Sequence, residues 1–199
     1  MDVELPMLPN CTLEGIRVVE LLSRDEAELQ DFFEQAPDYF RAVNGEPATP
    51  TEAREELSGQ LPAGWRCSRM YWLGYRDVHN QLVAVVNIAA DLLAVGVWQI
   101  GLLLVHSRWH GSGLAQRLHA DLEAWAVEKG AQWLRVTVVA GNTKAERFWP
   151  RLGYVTVRIR EGVAMGRQVN RVLIGVKPIA GESIDAYLSL VERDRPDTP

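Results

Sequence analysis

Six consecutive residues, Arg108-Trp109-His110-Gly111-Ser112-Gly113, carry the strongest chemical signal in the chain. They join an apolar run, Ile100 to Val105, to a stretch in which Leu114, Leu118, Leu122 and Trp125 recur at spacings of four and three. The run has the length of a buried strand, and the spacing predicts a helix with one apolar stripe, Asp121 among the residues facing away from it. Two glycines where that helix opens remove Cβ atoms at the point of approach, and the first N–H groups of any helix lack internal partners. A turn so built attracts anions. It is not a P-loop, because no lysine follows the glycines, and Gln116 stands where a dinucleotide fingerprint needs its third glycine.

A second block, Gly141 to Tyr154, follows another β-branched run, Trp133 to Val139. Asn142 reads as a helix N-cap and Gly153 as the helix stop. Strand, helix and strand in this order imply a parallel pair joined by a right-handed crossover. Upstream, Met70–Tyr75 and Leu82–Ala89 alternate around Asp77–Asn80 and predict an antiparallel hairpin. Ile16–Leu22 reads as a first strand. Val155–Glu161 and Val169–Val176, around Gly162 and Gly166, read as a closing hairpin.

The helices announce themselves by their ends. Ser23 to Glu26 reads as a capping box opening a helix with Leu29, Phe32, Phe33 and Ala36 on one face, stopped by Pro37. Thr49-Pro50-Thr51-Glu52 opens another, with proline at its first helical position. Between them, Asp38 to Pro47 reads as an irregular loop bearing Tyr39 and Phe40. Ser183 caps a last helix whose Ile184, Tyr187, Leu188 and Val191 can dock on the domain or on a second copy in a homodimer.

Composition bounds what these pieces can do. At 199 residues the chain fits one domain, 1–199, with residues 1–14 a loose arm and 183–199 a C-terminal helix and tail, of which 195–199 read as disordered. Its two cysteines, Cys11 and Cys67, show no metal-ligand spacing and read as free thiols in a reducing, cytoplasmic setting. A net charge of −5, with acids and bases interspersed, argues against nucleic-acid binding. No apolar run approaches the roughly 18 residues of a membrane span. His106 and His110 are four apart but straddle the glycine turn, so no metal site is expected.

The Arg-x-x-Gly-x-Gly pattern at 108–113 resembles the pyrophosphate-binding turn of the GNAT superfamily of acyl-CoA-dependent N-acyltransferases. The second block resembles the same superfamily, where an Asn, an Ala three residues on, an aromatic pair and a closing Gly-aromatic recur; here these are Asn142, Ala145, Phe148-Trp149 and Gly153-Tyr154. The resemblance covers Leu82 to Tyr154. It implies an α/β (α+β) fold: a mixed, largely antiparallel sheet of six to seven strands with a central parallel pair and helices on both faces.

It also implies a chemistry, the transfer of an acetyl group from acetyl-CoA, a co-substrate, to a primary amine by direct attack in a ternary complex. Backbone N–H groups of Trp109, His110, Gly111, Ser112, Gly113, Leu114 and Ala115 would face the pyrophosphate, supplemented by the Arg108 and His110 side chains. Leu103, Leu104 and Val105 would offer backbone to the pantetheine arm, which Asn142, Ala145 and Trp149 approach from the next helix. Tyr39 and Phe40 would border the acceptor. The chain departs from the family at Trp149, where many relatives carry Tyr; an indole cannot deliver a proton, which leaves Tyr154 or Tyr39 as stand-in acids. Gln99 offers no carboxylate, so a base would come from Asp91 first, from His106, or through water. The acceptor is open among polyamines, amino acids, antibiotics and protein N-termini. The alternative is an acyl-CoA-binding sensor or interaction module without turnover.

Overall fold

The apolar runs pair into one seven-stranded sheet in the order β1-β2-β3-β4-β5-β7-β6. The structure, a computed structural model, describes residues 8–196. The strands are β1 (Arg17–Glu20), β2 (Arg69–Arg76), β3 (Leu82–Ala90), β4 (Val97–Val105), β5 (Trp133–Val139), β6 (Val155–Met165) and β7 (Gln168–Pro178). Neighbours run antiparallel except β4 and β5, the expected parallel pair. The helices are α1 (Glu26–Glu34), α2 (Pro37–Asn44), α3 (Glu52–Leu57), α4 (Leu114–Glu128), α5 (Thr143–Arg151) and α6 (Ile184–Leu190).

Each face of the sheet is covered by its own core. The α4 stripe of Leu114, Leu118, Leu122 and Trp125 packs on Trp98 and Ile100, while Leu29, Phe33, Phe40 and Ala53 of α1–α3 pack with Trp72, Val85 and Leu104 on the other side. Burying each such Leu or Phe side chain contributes roughly 1.5–3 kcal/mol. Ile100 and Leu104 would share a face in a regular strand, yet here they serve opposite cores. The cause is a bulge: Asn87 pairs with Leu102 and Ile88 with Ile100, leaving Gly101 as the extra residue. A Cβ at Gly101 would sit 2.5 Å from Asn87 Oδ1, so any side chain there would have to displace that amide.

Several local expectations are corrected. Residues 38–47 are not a loop: Pro37 opens α2 rather than ending α1, its fixed φ suiting a first helical turn, and Gly45 closes the helix at φ 81°. Proline marks helix starts as well as stops, and the sequence alone did not decide between them. Ser23 begins a 3-10 turn, and the cap is one step away, with Leu22 N–H donating to Asp25 Oδ2 at 2.8 Å. Pro50 lies before α3, whose Glu52 instead accepts from Thr49 N–H at 3.1 Å. In the closing hairpin Gly162 sits inside β6 at a register shift, and only Gly166 turns the chain.

The ends are also better tied than composition suggested. Asp121 lies buried on α4, where an unpaired carboxylate would be costly, and Thr12 supplies both its backbone N–H and its hydroxyl at 2.9 Å. Leu8, Cys11 and Leu13 pack on the core beside it, so residues 8–14 are not a loose arm; residues 1–7 lie outside the described residues. Ser183 caps α6, and its Tyr187 packs on Val97, Trp133 and Val176 of the same sheet. Arg195 donates to Leu188 O at 2.7 Å instead of trailing free, and residues 197–199 lie outside the described residues.

Candidate functional site

The site begins where two strands part company. β4 and β5 pair only over Val97–Ile100 and Trp133–Val136, although β4 continues to Val105 and β5 to Val139. β5 stays paired with β7 as far as Val139, so the parting exposes the facing edge of β4. Backbone groups that a parallel neighbour would have taken are left for a ligand. A cavity of about 1000 Å³ fills the wedge and spreads beneath α1–α3. Leu103, Leu104, Val105, His110, Ala115, Asn142, Ala145 and Trp149 line it, as do Tyr39 and Phe40.

Of the glycine turn, His110 and Ala115 line the cavity, whereas Trp109, Gly111, Ser112, Gly113 and Leu114 lie beside it. Gly111 and Gly113 sit at φ 77° and 78°, conformations that glycine adopts without strain, and a Cβ on either would meet nothing within 4 Å. Gly113 is the N-cap of α4 and offers no side chain, so the dipole end of a fifteen-residue helix is capped only by Ser112 Oγ accepting from Leu114 N–H at 3.2 Å. The side chains once expected to help are otherwise engaged. Arg108 bonds Asp77 and Gln81 at 3.1 Å, away from the cavity, and Trp109 packs against the α4 core. His110 Nε2 lies 2.9 Å from Val105 O.

Neither first-choice proton carrier reaches the cavity lining. Asp91, at φ 53°, accepts from Gly96 N–H and Ser68 Oγ, both at 2.7 Å; it holds the turn into β4. Tyr154 is buried behind Trp149, its hydroxyl 2.9 Å from His119 Nε2, and burial with Glu123 nearby pushes its phenol well above the ordinary range. Burial, with Lys177 beside it, lowers His119 to about 4, so that imidazole is neutral at pH 7. His106 lines the cavity but is held by Gln35 at 2.9 Å and lowered by burial and by Arg108.

Two groups on the helical wall are better placed. Glu56 of α3 keeps a solvent-accessible face yet lines the cavity, and desolvation together with Glu52 and Glu55 lifts its carboxyl to about 7. A carboxyl with that affinity exchanges protons freely at neutral pH. Tyr39 is raised by burial and by Glu56 and Glu52, so it stays a protonated donor. Sequence reading missed Glu56 because three acids in Glu52–Glu56 look like a solvated helix face; the short apolar stripe of α3 was the only hint.

The far end of the cavity is basic, and sequence reading missed it as well. Arg135 is almost wholly buried, bonding Asp194 at 2.7 and 3.1 Å, Gln99 at 2.6 Å and Thr137 Oγ1 at 3.2 Å. Tyr187 donates its hydroxyl to Asp194 at 2.5 Å. Burial opposes the Asp194 carboxylate, but the bonds and charge of Arg135, Tyr187 and Arg160 hold it below its ordinary value. A charge inside the run Trp133–Val139 was the signal that a buried partner existed. Among the described residues no group of three or more His, Cys, Asp and Glu is placed to hold a metal, and no helix is long and apolar enough to cross a membrane.

Comparison with known proteins places this geometry. Residues 29–154 match the acetyltransferase (GNAT) family. No curated protein sequence matches the chain. Among solved structures, an acetyltransferase from Thermus thermophilus is 20% identical with a TM-score of 0.63, over 83% of this chain and 97% of its own. A ribosomal-protein-alanine N-acetyltransferase from Escherichia coli is 15% identical with a TM-score of 0.61, over 85% and 97%. A ribosomal-protein-S5-alanine acetyltransferase from Vibrio fischeri is 11% identical with a TM-score of 0.64, over 86% and 97%. These likenesses are of fold.

Proposed function

The chain belongs to the acetyltransferase (GNAT) family, and on that premise we propose that it moves an acetyl group from acetyl-CoA to a primary amine by direct attack in a ternary complex. The observation that carries the reading is the parting of β4 and β5 beside the amino end of α4, whose N-cap is a glycine. Together they offer what a CoA thioester needs: an anion cradle for the diphosphate and unpaired strand backbone for the extended arm. The activated acetyl group is what the co-substrate supplies.

The chain's own residues do the rest. N–H groups around Gly111–Ala115 hold the diphosphate, the Leu103–Val105 edge aligns the arm and polarises the carbonyl, and Asn142, Ala145 and Trp149 wall it in. Glu56 takes the proton of the incoming ammonium, so that the neutral nitrogen forms the C–N bond as the C–S bond breaks. The sulfur leaves as a thiolate, which its pKa of about 8.5 allows without an acid, and the second proton that the nitrogen sheds as the amide forms passes to that thiolate, giving free CoA thiol.

The test is thiol release from acetyl-CoA with a panel of amines, alongside calorimetry with CoA. Release that depends on the amine supports the transferase. Trp149, at the family's tyrosine position, favours a second reading, a binding module without turnover. CoA heat without release for every amine would establish that module instead. No heat with CoA or acetyl-CoA would remove both.

A further inference from the structure

Resting on the transferase reading, we propose that the acceptor is an amino-acid-like zwitterion, an amine that carries its own carboxylate, with Arg193 as the carboxylate's anchor. The argument starts from a charge imbalance. Arg135, Arg160 and Arg193 converge on a single carboxylate, Asp194, which already serves Arg135 at 2.7 Å, Arg160 at 3.4 Å and the Tyr187 hydroxyl. All three arginines are among the residues that line the cavity. Arg193 makes no ion pair within 4 Å among the described residues; its guanidinium stacks on Trp65, 4.3 Å from the ring centroid. The Nε atoms of Arg160 and Arg193 are buried without a hydrogen-bond partner. Burial and the neighbouring arginines destabilise the Arg193 charge, which an incoming anion would relieve.

The α3 side of the cavity has the other sign. Glu52 and Glu56 of α3 line the same cavity, and Glu56 has no ion pair among the described residues. Glu52 is occupied with Asn44 and Thr49, which leaves Glu56 to face a cation. A cavity acidic on one wall and basic on the other fits a ligand with both charges. A polyamine would meet Arg193 with its second ammonium, and an uncharged tail would leave that guanidinium unpaired. Trp65 fixes the arginine's plane, which is what bidentate grip on a carboxylate requires.

The experiment compares acids with their neutral or cationic counterparts, using alanine against alaninamide and lysine against cadaverine. Thiol release from acetyl-CoA is read as kcat/KM for the wild type, Arg193→Gln and Arg193→Lys. The acids should exceed their partners at least tenfold, the value of about one charge-assisted hydrogen bond, chiefly through KM. Arg193→Gln should bring the acid-to-amide ratio near one, and Arg193→Lys should restore part of it. Circular dichroism verifies that both variants fold. Equal or better turnover of alaninamide and cadaverine would overturn the zwitterion while leaving the transferase standing. Absence of release for all four compounds, with CoA binding intact, would overturn this proposal, and the wider amine panel would then decide whether the transferase falls with it.

Discussion

The two ends of the cavity are built by different means. The end assigned to CoA comes from one stretch of chain, Leu103 to Trp149, and works through backbone: a strand edge left by the parting of β4 and β5, and the open amino end of α4. The end proposed for the acceptor is made of side chains drawn from α2, α3, β5, β6 and the turn at Glu192–Asp194. Backbone recognition needs special φ values and a helix end whose N-cap carries no side chain, both of which glycine writes into adjacent positions. Side-chain recognition needs only that distant residues meet, so it leaves no local pattern. The first end is therefore the one a local sequence pattern can announce, and the second is assembled by the fold.

The largest effect expected from breaking the assembled end is structural. Arg135→Met leaves the buried Asp194 carboxylate only Arg160 at 3.4 Å and the Tyr187 hydroxyl, and loss of the main partner of such a pair costs about 3–5 kcal/mol. Chemical denaturation at pH 7 should report it. The sign with pH follows from the depressed Asp194 value. Its contribution is present above the ordinary carboxylate value of 3.8 and is lost as pH falls through the lower folded value. Wild-type stability should drop in that acid range, and the drop should be smaller in Arg135→Met.

Breaking the backbone end should spare the fold and cost affinity. Gly113→Asp puts a carboxylate at an N-cap surrounded by open space, where it would face the diphosphate. Like charges about 4 Å apart near a surface repel by roughly 4 kcal/mol, so CoA affinity should fall more than about a hundredfold by calorimetry. Gly113→Asn separates charge from strain, because asparagine tolerates φ near 78°. It should lose less than about tenfold if charge is what matters. Equal losses in the two variants would move the cradle elsewhere.

Glu56→Gln sharpens the contrast, since it should alter turnover and leave CoA affinity alone. A general base contributes about 10²–10⁴, and the loss should lie at the lower end because water in an open cavity can substitute. The base form of Glu56 must be present, so wild-type turnover should rise as pH climbs through about 7 and then level. Glu56→Gln should remove that rise. An unchanged profile would take the base role from Glu56.

What was legible follows the same division. The order of strands, the crossover helix and the two family blocks could be read from periodicity and glycine placement, because each depends on residues close in sequence. Asp91 looked like a base by position at a strand end, but its backbone turns to φ 53° and its carboxylate is spent on Gly96 and Ser68. Asp194 stands just before the residues read as disordered, 195–199, yet it neutralises Arg135, fifty-nine positions away. Such a pair is visible as a lone charge in an apolar strand, and nothing local names its partner. The helix α2 was hidden by Pro37, which ends one helix pattern and begins the next.

Trp149 stands between the two ends and should yield the smallest effect. Its ring packs edge-on against His119, Tyr154 and Phe148 at centroid distances of 5.9, 5.1 and 5.0 Å, and it lines the cavity beside Asn142 and Ala145. An indole N–H donates a hydrogen bond but gives up no proton at neutral pH, so the residue can shape the wall without assisting the leaving sulfur. Trp149→Phe keeps an apolar ring of smaller volume, and such swaps cost less than about 1.5 kcal/mol of stability. Turnover should change less than about threefold, given that a thiol of pKa about 8.5 departs readily. Trp149→Tyr places a phenol where relatives carry one and should gain little for the same reason. A gain above tenfold would show that protonation of the sulfur limits the wild type and that an acid is missing from its cavity.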